Sequence, residues 1–285
     1  QPSKVYYSPE EEVADVAILG PKNTYSDFAC DEVSQTVSRK YCRTIREVFE
    51  NVSNSKVAFG LVPLENKLAG SVHETYDAFW EYENVKGVLE IKLPICHVLA
   101  AKKNISIKEI DKVYSHPQPL SQCSKFLEKH RYIKRVASSS TAEAVTLLSG
   151  NSAAILPEKA AEKFHLNIIK KDITNSADNY TRFCIILKEG GIIPKEIIKP
   201  SKKRTALRTS MAFELLKTKA GSLLGILQFF ANENINLLKL ESKPVGDKGD
   251  TIFFVDIEGE ILRNQLIKLK EKVAVLKVFG SMCNL

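Results

Sequence analysis

Asn179, Tyr180, Thr181, Arg182 and Phe183 gather uncharged hydrogen-bonding groups, one cation and one aromatic ring just before the apolar run Cys184-Ile185-Ile186-Leu187. An apolar run of that length between turn-formers suits a strand covered on both faces. A polar cluster at the start of such a strand is held rigidly by the sheet behind it, as a binding or catalytic group must be. A loop followed by a strand cap is the structural alternative, and the pentapeptide alone leaves both open.

Four further polar clusters stand in a comparable place. Val16-Ala17-Ile18-Leu19 runs into Gly20 to Ser26, and Val57 to Val62 runs into Pro63 to Ser71. Lys112-Val113-Tyr114 leads to Ser115 to Cys123, and Arg135-Val136-Ala137 to Ser138 to Thr141. Each is followed by a helical pattern, so each reads as a βα unit, and Ala153 to Leu156 before Pro157 adds a fifth. Unpaired N–H groups and the dipole at a helix start favour anions. Ser, Thr and Asn there also serve as plain N-caps. Clusters at equivalent strand ends of one domain point to a shared cleft, because ligands of open α/β sheets bind outside the carboxyl ends of the strands.

The elements that must position these groups follow from the repeats. Repeated βα units predict largely parallel sheets with helices on both faces. The extended segment Val88 to Ala101 divides the units into two sets and predicts a crossing between two lobes, with Phe183 to Leu187 returning to the first. Beyond the charged stretch Lys188 to Arg204, which reads as a solvated linker, the order changes to βαββαβ, a ferredoxin-like module. Its strands are expected over Leu207–Leu215, Asn234–Glu241, Thr251–Asp256 and Val273–Phe279, with Gly246 to Gly249 as the central hairpin turn.

The totals exclude several classes. A chain of 285 residues suits two or three units of about 100 residues. No apolar stretch approaches the roughly 20 residues that span a bilayer. No targeting segment is visible, a removed leader stays open, and the scattered cysteines in apolar contexts read as reduced core residues, so a cytoplasmic location is expected. The six cysteines show no CxxC and no histidine at metal spacing, so a structural or catalytic zinc is not expected. The net charge of +7 lacks the basic–aromatic interleaving of nucleic-acid binders, and a small anionic substrate explains local positive charge as well.

With these motifs in place, the chain resembles prephenate dehydratase with a C-terminal ACT domain over nearly its whole length. The resemblance rests on GPKNTYS from Gly20, PLEN from Pro63, GSVHETYD from Gly70, SHPQPLSQC from Ser115, STAEA from Ser140 and NYTRF from Asn179. In the last part it rests on the helix start Gly221-Ser222-Leu223-Leu224, on Glu241-Ser242-Lys243-Pro244 and on FFVDIEG from Phe253. It implies an α/β fold: a two-lobed catalytic domain similar to periplasmic binding proteins, with a cleft between lobes, followed by an α+β ferredoxin-like ACT domain. The implied boundaries are 14–190 for the catalytic domain (lobe one about 14–90 with 180–190, lobe two about 91–179), 191–204 for the linker and 205–285 for the ACT domain.

The implied activity is conversion of prephenate to phenylpyruvate, water and carbon dioxide in phenylalanine biosynthesis, without metal or other cofactor. Among the implied catalytic positions, Thr181 supplies a hydrogen bond or proton to the departing hydroxyl, with Glu65, Asn66, His116 and Gln122 around it. Arg182 is the implied fork partner of a substrate carboxylate. Ser71, Ser140, Thr141, Thr24 and Phe183 complete the implied substrate contacts, and Tyr25 is wall or core. For Glu65 the structural alternative is to orient Asn66, for His116 a His-Pro bend, and for Gln122 a cap. Gly221, Ser222, Leu223, Leu224, Glu241, Ser242, Lys243 and Pro244 are the implied phenylalanine-binding positions. Gly221 would allow close backbone approach, and the Glu241–Pro244 loop would clamp the amino acid at a subunit interface of a homodimer or homotetramer.

Some residues depart from the family pattern. Asn23 stands where Gly is usual, Lys67 where Ser or Thr is common, Lys243 where Arg is usual and Thr251 where an aromatic is frequent. The last two bear on effector affinity and identity more than on catalysis. Arogenate dehydratase and a non-catalytic amino-acid sensor are the alternative readings; the hydroxyl of Thr181 speaks against the sensor, which has no need of it.

Overall fold

The computed structural model describes residues 14–192, 208–217, 219–245 and 250–284. The linker before Arg208 and the hairpin turn at Gly246 to Gly249 therefore lie largely or wholly outside the described residues.

The first apolar run is β1 (Val16–Leu19), which leads to α1 (Tyr25–Val33). The turn between them needs a left-handed residue, and Asn23 provides it at φ 63°. Asn tolerates that region better than most L-residues. Its N–H donates to Asp27 Oδ2 at 2.8 Å, fixing the first turn of α1. β2 (Arg39–Cys42) and α2 (Ile45–Ser53) come next. The sequence reading omitted α2, although Ile45, Val48, Phe49 and Val52 recur at helical spacing and are buried.

β3 (Phe59–Asn66), β4 (Gly70–Ser71), α3 (His73–Glu81) and β5 (Val85–Pro94) complete the first set. The second set runs through β6 (His97–Ala101), β7 (Lys112–Ser115), α4 (Pro117–Gln122), α5 (Ser124–Lys129) and β8 (Lys134–Ala137). It ends with α6 (Thr141–Thr146), β9 (Ser152–Pro157), α7 (Glu158–Lys163) and β10 (Asn167–Lys170). β11 (Tyr180–Lys188) then returns beside β5.

Two sheets result. One has the order β10-β6-β9-β7-β8, and the other carries β5-β11-β3-β1-β2. The expectation of largely parallel sheets is corrected. β1 is parallel to β2 and β3, but β11 is antiparallel to both β3 and β5, and β6 is antiparallel to β9 and β10. The chain leaves the first sheet along β5 and re-enters along β11, and two neighbouring segments that cross one gap in opposite directions pair antiparallel.

The C-terminal part comprises β12 (Arg208–Leu215), α8 (Ser222–Asn232), β13 (Leu237–Val245), β14 (Asp250–Glu258), α9 (Arg263–Lys270) and β15 (Val273–Asn284). Its strand order β13-β14-β12-β15 is that of a βαββαβ module. β15 does not stop at Phe279. It continues and pairs in parallel with β5, Cys283 opposite Leu89 and Asn284 opposite Glu90, so the module's sheet is continuous with the first sheet. Gly280 permits this approach: at φ 151°, a Cβ there would lie 2.0 Å from the Gly87 carbonyl oxygen.

Apolar packing follows the same joints. One core cluster joins Val16, Phe59 and Phe183 of the first sheet to Val98, Ala154 and Leu156 of the second. Another joins Phe49, Leu64 and Phe79 to Phe254, Phe279 and Met282 of the module, with Phe79 stacked on Phe279 at 5.2 Å. Among the described residues no helix is long and apolar enough to cross a membrane.

Candidate functional site

Along β11 the side chains alternate. Phe183 and Ile185 join the cluster shared with the second sheet, whereas Cys184 and Ile186 join the cluster shared with the C-terminal module. Thr181 and Phe183 accordingly line a cavity of 470 Å³ bounded by residues of both sheets. Arg182 points the other way.

Its neighbour β3 contains a bulge that matters here. Thr181 faces Asn66 and Arg182 faces Glu65, but Phe183 faces Pro63, which leaves Leu64 as an extra residue. The inserted residue reverses the alternation beyond it. Glu65 is brought to the face of Arg182, and Asn66 to that of Thr181. Asn66 Oδ1 accepts from the N–H groups of Leu68 and Ala69 at 3.1 and 3.0 Å, which fixes its amide orientation. Its Nδ2 then donates to Thr181 Oγ1 at 3.0 Å. Because that amide nitrogen can only donate, the Thr181 hydroxyl accepts from it and keeps its own proton for another partner.

Several other expected site residues line the same cavity: Thr24, His116, Gln122, Ser140 and Thr141, as does Tyr25. Their hydrogen bonds distinguish their roles. Ser140 Oγ accepts from Glu143 N at 3.1 Å, a plain N-cap of α6. His116 Nδ1 accepts weakly from Gln118 N at 3.4 Å, the His-Pro bend. Thr24 donates to the Pro21 carbonyl at 3.0 Å, so α1 starts without a side-chain cap. Gln122 is not a cap: its Oε1 meets His97 Nε2 at 2.8 Å. His97 Nδ1 in turn lies 3.2 Å from the Tyr25 hydroxyl.

His97 is the wall residue that the sequence reading missed. A histidine beginning a strand that leaves the crossing segment was the available signal. Burial lowers its pKa from the usual value, against the opposing bond to Gln122, and burial pushes the Tyr25 hydroxyl well above its ordinary range. Both are therefore neutral near pH 7. Among the described lining residues there is no Lys, Arg, Asp or Glu.

Three expected substrate or catalytic contacts are corrected. Arg182 is 3 % exposed, with Nε and Nη2 on the two oxygens of Glu90 at 3.1 and 2.8 Å and Nη1 on Glu65 at 2.7 Å. Its fork is occupied by carboxylates behind the cavity and does not present itself to a substrate. Glu65 is that partner, and does not line the cavity. Ser71, opposite Glu65 on β4, donates to Glu241 Oε1 at 2.7 Å and accepts from Lys239, both from the module. Asp256 of the module extends the cluster, holding Arg208 Nη1 at 3.0 Å and Ser210 Oγ at 2.5 Å.

The expected effector positions lie on two elements of the module. Glu241 to Pro244 are not a loop but part of β13, paired with β14. Glu241 and Lys243 turn toward the first sheet, Lys243 reaching both oxygens of Asp77 at 2.6 and 2.5 Å, while Ser242 and Pro244 are exposed. Gly221 occupies the left-handed N-cap of α8 at φ 84°, before Ser222, Leu223 and the exposed Leu224. A Cβ on Gly221 would meet nothing of this chain within 4 Å, and its positive φ is the conformational reason for a glycine there.

An α/β unit whose two sheets bound one cavity, joined to a βαββαβ module, is the architecture of a catalytic domain with an ACT-like partner. The chain belongs to the prephenate dehydratase family: that family's sequence profile matches residues 16–190, and the ACT domain profile matches residues 213–275. A bifunctional chorismate mutase/prephenate dehydratase of Aquifex aeolicus is 39 % identical over 93 % of this chain and 72 % of its own length. A prephenate dehydratase of Methanocaldococcus jannaschii is 34 % identical over 93 % and 94 %. A crystal structure of prephenate dehydratase from Arthrobacter aurescens in complex with L-Phe superposes with a TM-score of 0.80, at 27 % identity over 94 % of this chain and 89 % of that one.

Proposed function

We propose that this chain converts prephenate to phenylpyruvate, carbon dioxide and water in phenylalanine biosynthesis, and that its ACT module binds phenylalanine and restrains the reaction. In this reading the cavity is an interlobe cleft of the kind found in two-lobed ligand-binding proteins. The bond from the ring to its carboxylate breaks, carbon dioxide leaves, and the electron pair moves into the ring as the C4 hydroxyl departs. That hydroxyl takes up one proton and leaves as water, and aromatisation drives the step. The carrying observation is the Asn66–Thr181 pair, which leaves one hydroxyl proton at the cavity wall for the departing oxygen. Uncharged donors meet the substrate carboxylates: the amide of Gln122 and first-turn N–H groups of α1.

Arogenate is the second candidate substrate, since an Arabidopsis thaliana relative named arogenate dehydratase/prephenate dehydratase 2 is 32 % identical over 93 % of this chain. The absence of a carboxylate from the described cavity lining favours prephenate, because the ammonium group of arogenate would meet no countercharge. The complex of the Arthrobacter relative with L-Phe supports phenylalanine as effector. Exposed Leu224, Leu238 and Leu240 on the module support pairing between chains as a homodimer or homotetramer, and a cytoplasmic setting accords with the buried thiols of Cys30, Cys42, Cys123 and Cys184.

The test is turnover of prephenate and arogenate by the wild type and by Thr181→Ser, Thr181→Ala and Thr181→Val, with phenylpyruvate and phenylalanine measured as products. Thr181→Ala should lower kcat about 10²–10³-fold, the range for loss of one preorganised donor, while Thr181→Ser retains most activity. No turnover of either substrate by folded wild type would overturn the reading.

A further inference from the structure

His97 stands where the two lobes meet. It opens β6 directly after the crossing segment Ile95–Cys96, and it is fully buried. On one side its ring lies edge-on to Tyr25 of α1, with centroids 5.8 Å apart, and Nδ1 is 3.2 Å from the Tyr25 hydroxyl. On the other side Nε2 is 2.8 Å from Oε1 of Gln122, on α4 of the second lobe. One imidazole therefore links a cavity-wall residue of each lobe.

The tautomer follows from the partners. A carboxamide oxygen can only accept, so Nε2 carries the proton and donates to Gln122. In the neutral ring Nδ1 is then a pure acceptor, and the single Tyr25 hydroxyl proton stands between it at 3.2 Å and the Cys96 carbonyl oxygen at 3.3 Å. With its oxygen engaged on His97, the Gln122 amide is left to point its NH₂ group elsewhere, and Gln122 lines the cavity. Buried groups around the ring do not disturb this state: burial raises the pKa values of Tyr25, Cys96 and Cys123, which keeps them neutral.

We infer that His97 is a positioning residue for substrate binding: as the neutral Nε2–H tautomer it turns Gln122 into an NH₂ donor for a substrate carboxylate and ties that donor to Tyr25 across the two lobes. This inference rests on the proposed reading of the cavity as a prephenate site. The carboxylate is charged both before and during reaction, so the donor acts on binding more than on the chemical step.

Kinetics of His97→Ala, His97→Gln and His97→Asn with prephenate test it. A Gln side chain can place its amide N–H near the position of Nε2, whereas Asn reaches only the position of Nδ1. His97→Ala is expected to raise KM about 10- to 100-fold, the loss of one hydrogen bond to a charged group, with kcat little changed. His97→Gln should recover most of the lost affinity and His97→Asn should not. A variant that merely misfolds gives the opposite pattern, a lower kcat at unchanged KM, and that pattern would overturn the inference. So would equal KM values for the Gln and Asn variants. Long-range ¹H–¹⁵N spectra of the histidine-labelled wild type give an independent reading: an Nδ1–H tautomer for His97 would also overturn it. Should the wild type prove inactive on prephenate, these spectra still separate failure of the tautomer from failure of the substrate assignment.

Discussion

The proposed chemistry rests on one amide and one hydroxyl. Asn66 is held by two backbone N–H donors on its oxygen, so its nitrogen faces β11, donating to Thr181 Oγ1 at 3.0 Å and to the Tyr180 carbonyl at 3.3 Å. Asn66→Asp keeps the shape but replaces that donor by an acceptor. The Thr181 hydroxyl would then donate to the new carboxylate and lose its proton to the wrong partner. The expected result is a fall in kcat of about 10²-fold or more, close to that of Thr181→Ala, with some loss of stability because the buried carboxylate also faces the Tyr180 carbonyl. Steady-state kinetics beside a thermal melt would check this, and full activity in Asn66→Asp would remove Asn66 from the site. Arg182 makes a contrasting case one residue away. It is buried with Glu90, so Arg182→Ala leaves that carboxylate with Arg208 alone and should cost about 3 kcal/mol of folding stability, read from urea unfolding.

At the scale of elements, the bulge at Leu64 and the glycine at 280 do the placing. Without the extra residue in β3, Asn66 would share a face with Leu64 and point toward the C-terminal module. Gly280 lets β15 lie against β5, where any side chain meets the Gly87 carbonyl. The same strand delivers Met282 to within 3.4 Å of Cys184 Sγ, in the core directly behind β11. Gly280→Ala cannot be accommodated by a rotamer change, because the obstacle is backbone. The strand must move, and the expected effect is separation of one cooperative unfolding transition into two, visible by calorimetry. A single transition at the wild-type temperature would show that the β15–β5 junction carries little of the coupling.

For the whole molecule, the junction between catalytic domain and module is dense in charge. Arg182, Glu90, Arg208 and Asp256 share one buried cluster, and Lys239 lies over the Tyr76 ring at 3.8 Å while donating to Ser71. The faces of β3 and β11 that bear Thr181 and Asn66 on one side are bound to the module on the other. pH acts on the molecule through a different buried group. The pKa of His97 is lowered below the usual value of about 6.5 in the fold. Below that pH the unfolded chain takes up the proton first, so the unfolded state binds more protons and stability falls. The contribution of His97 is fully present above about pH 6.5 and is lost as pH falls toward its folded pKa. The difference in urea midpoint between wild type and His97→Gln should therefore shrink between about pH 7.5 and pH 5. A constant difference would mean that His97 does not titrate on unfolding.

The sequence by itself determined the element types and their grouping. Apolar runs before Gly20, Pro63, Ser115 and Ser138 marked strands that feed helices, the change to βαββαβ marked the module, and the motifs carried the family resemblance. Period-two alternation on β11 also contained the answer for Arg182, since neighbours on a strand face opposite ways, though the pentapeptide was read as one cluster. Tertiary structure alone decided the rest. A one-residue bulge leaves no composition signal, yet it exchanges the faces of Glu65 and Asn66. The direction of β11 depends on how the chain returns between sheets, the extension of β15 depends on a surface 194 residues away in the chain, on β5, and His97 acquires meaning only when α1 and α4 close on it. Local pattern fixes what a segment can be, because its forces act between near neighbours; which side chains meet is set by contacts distant in sequence, and those exist only in the folded chain.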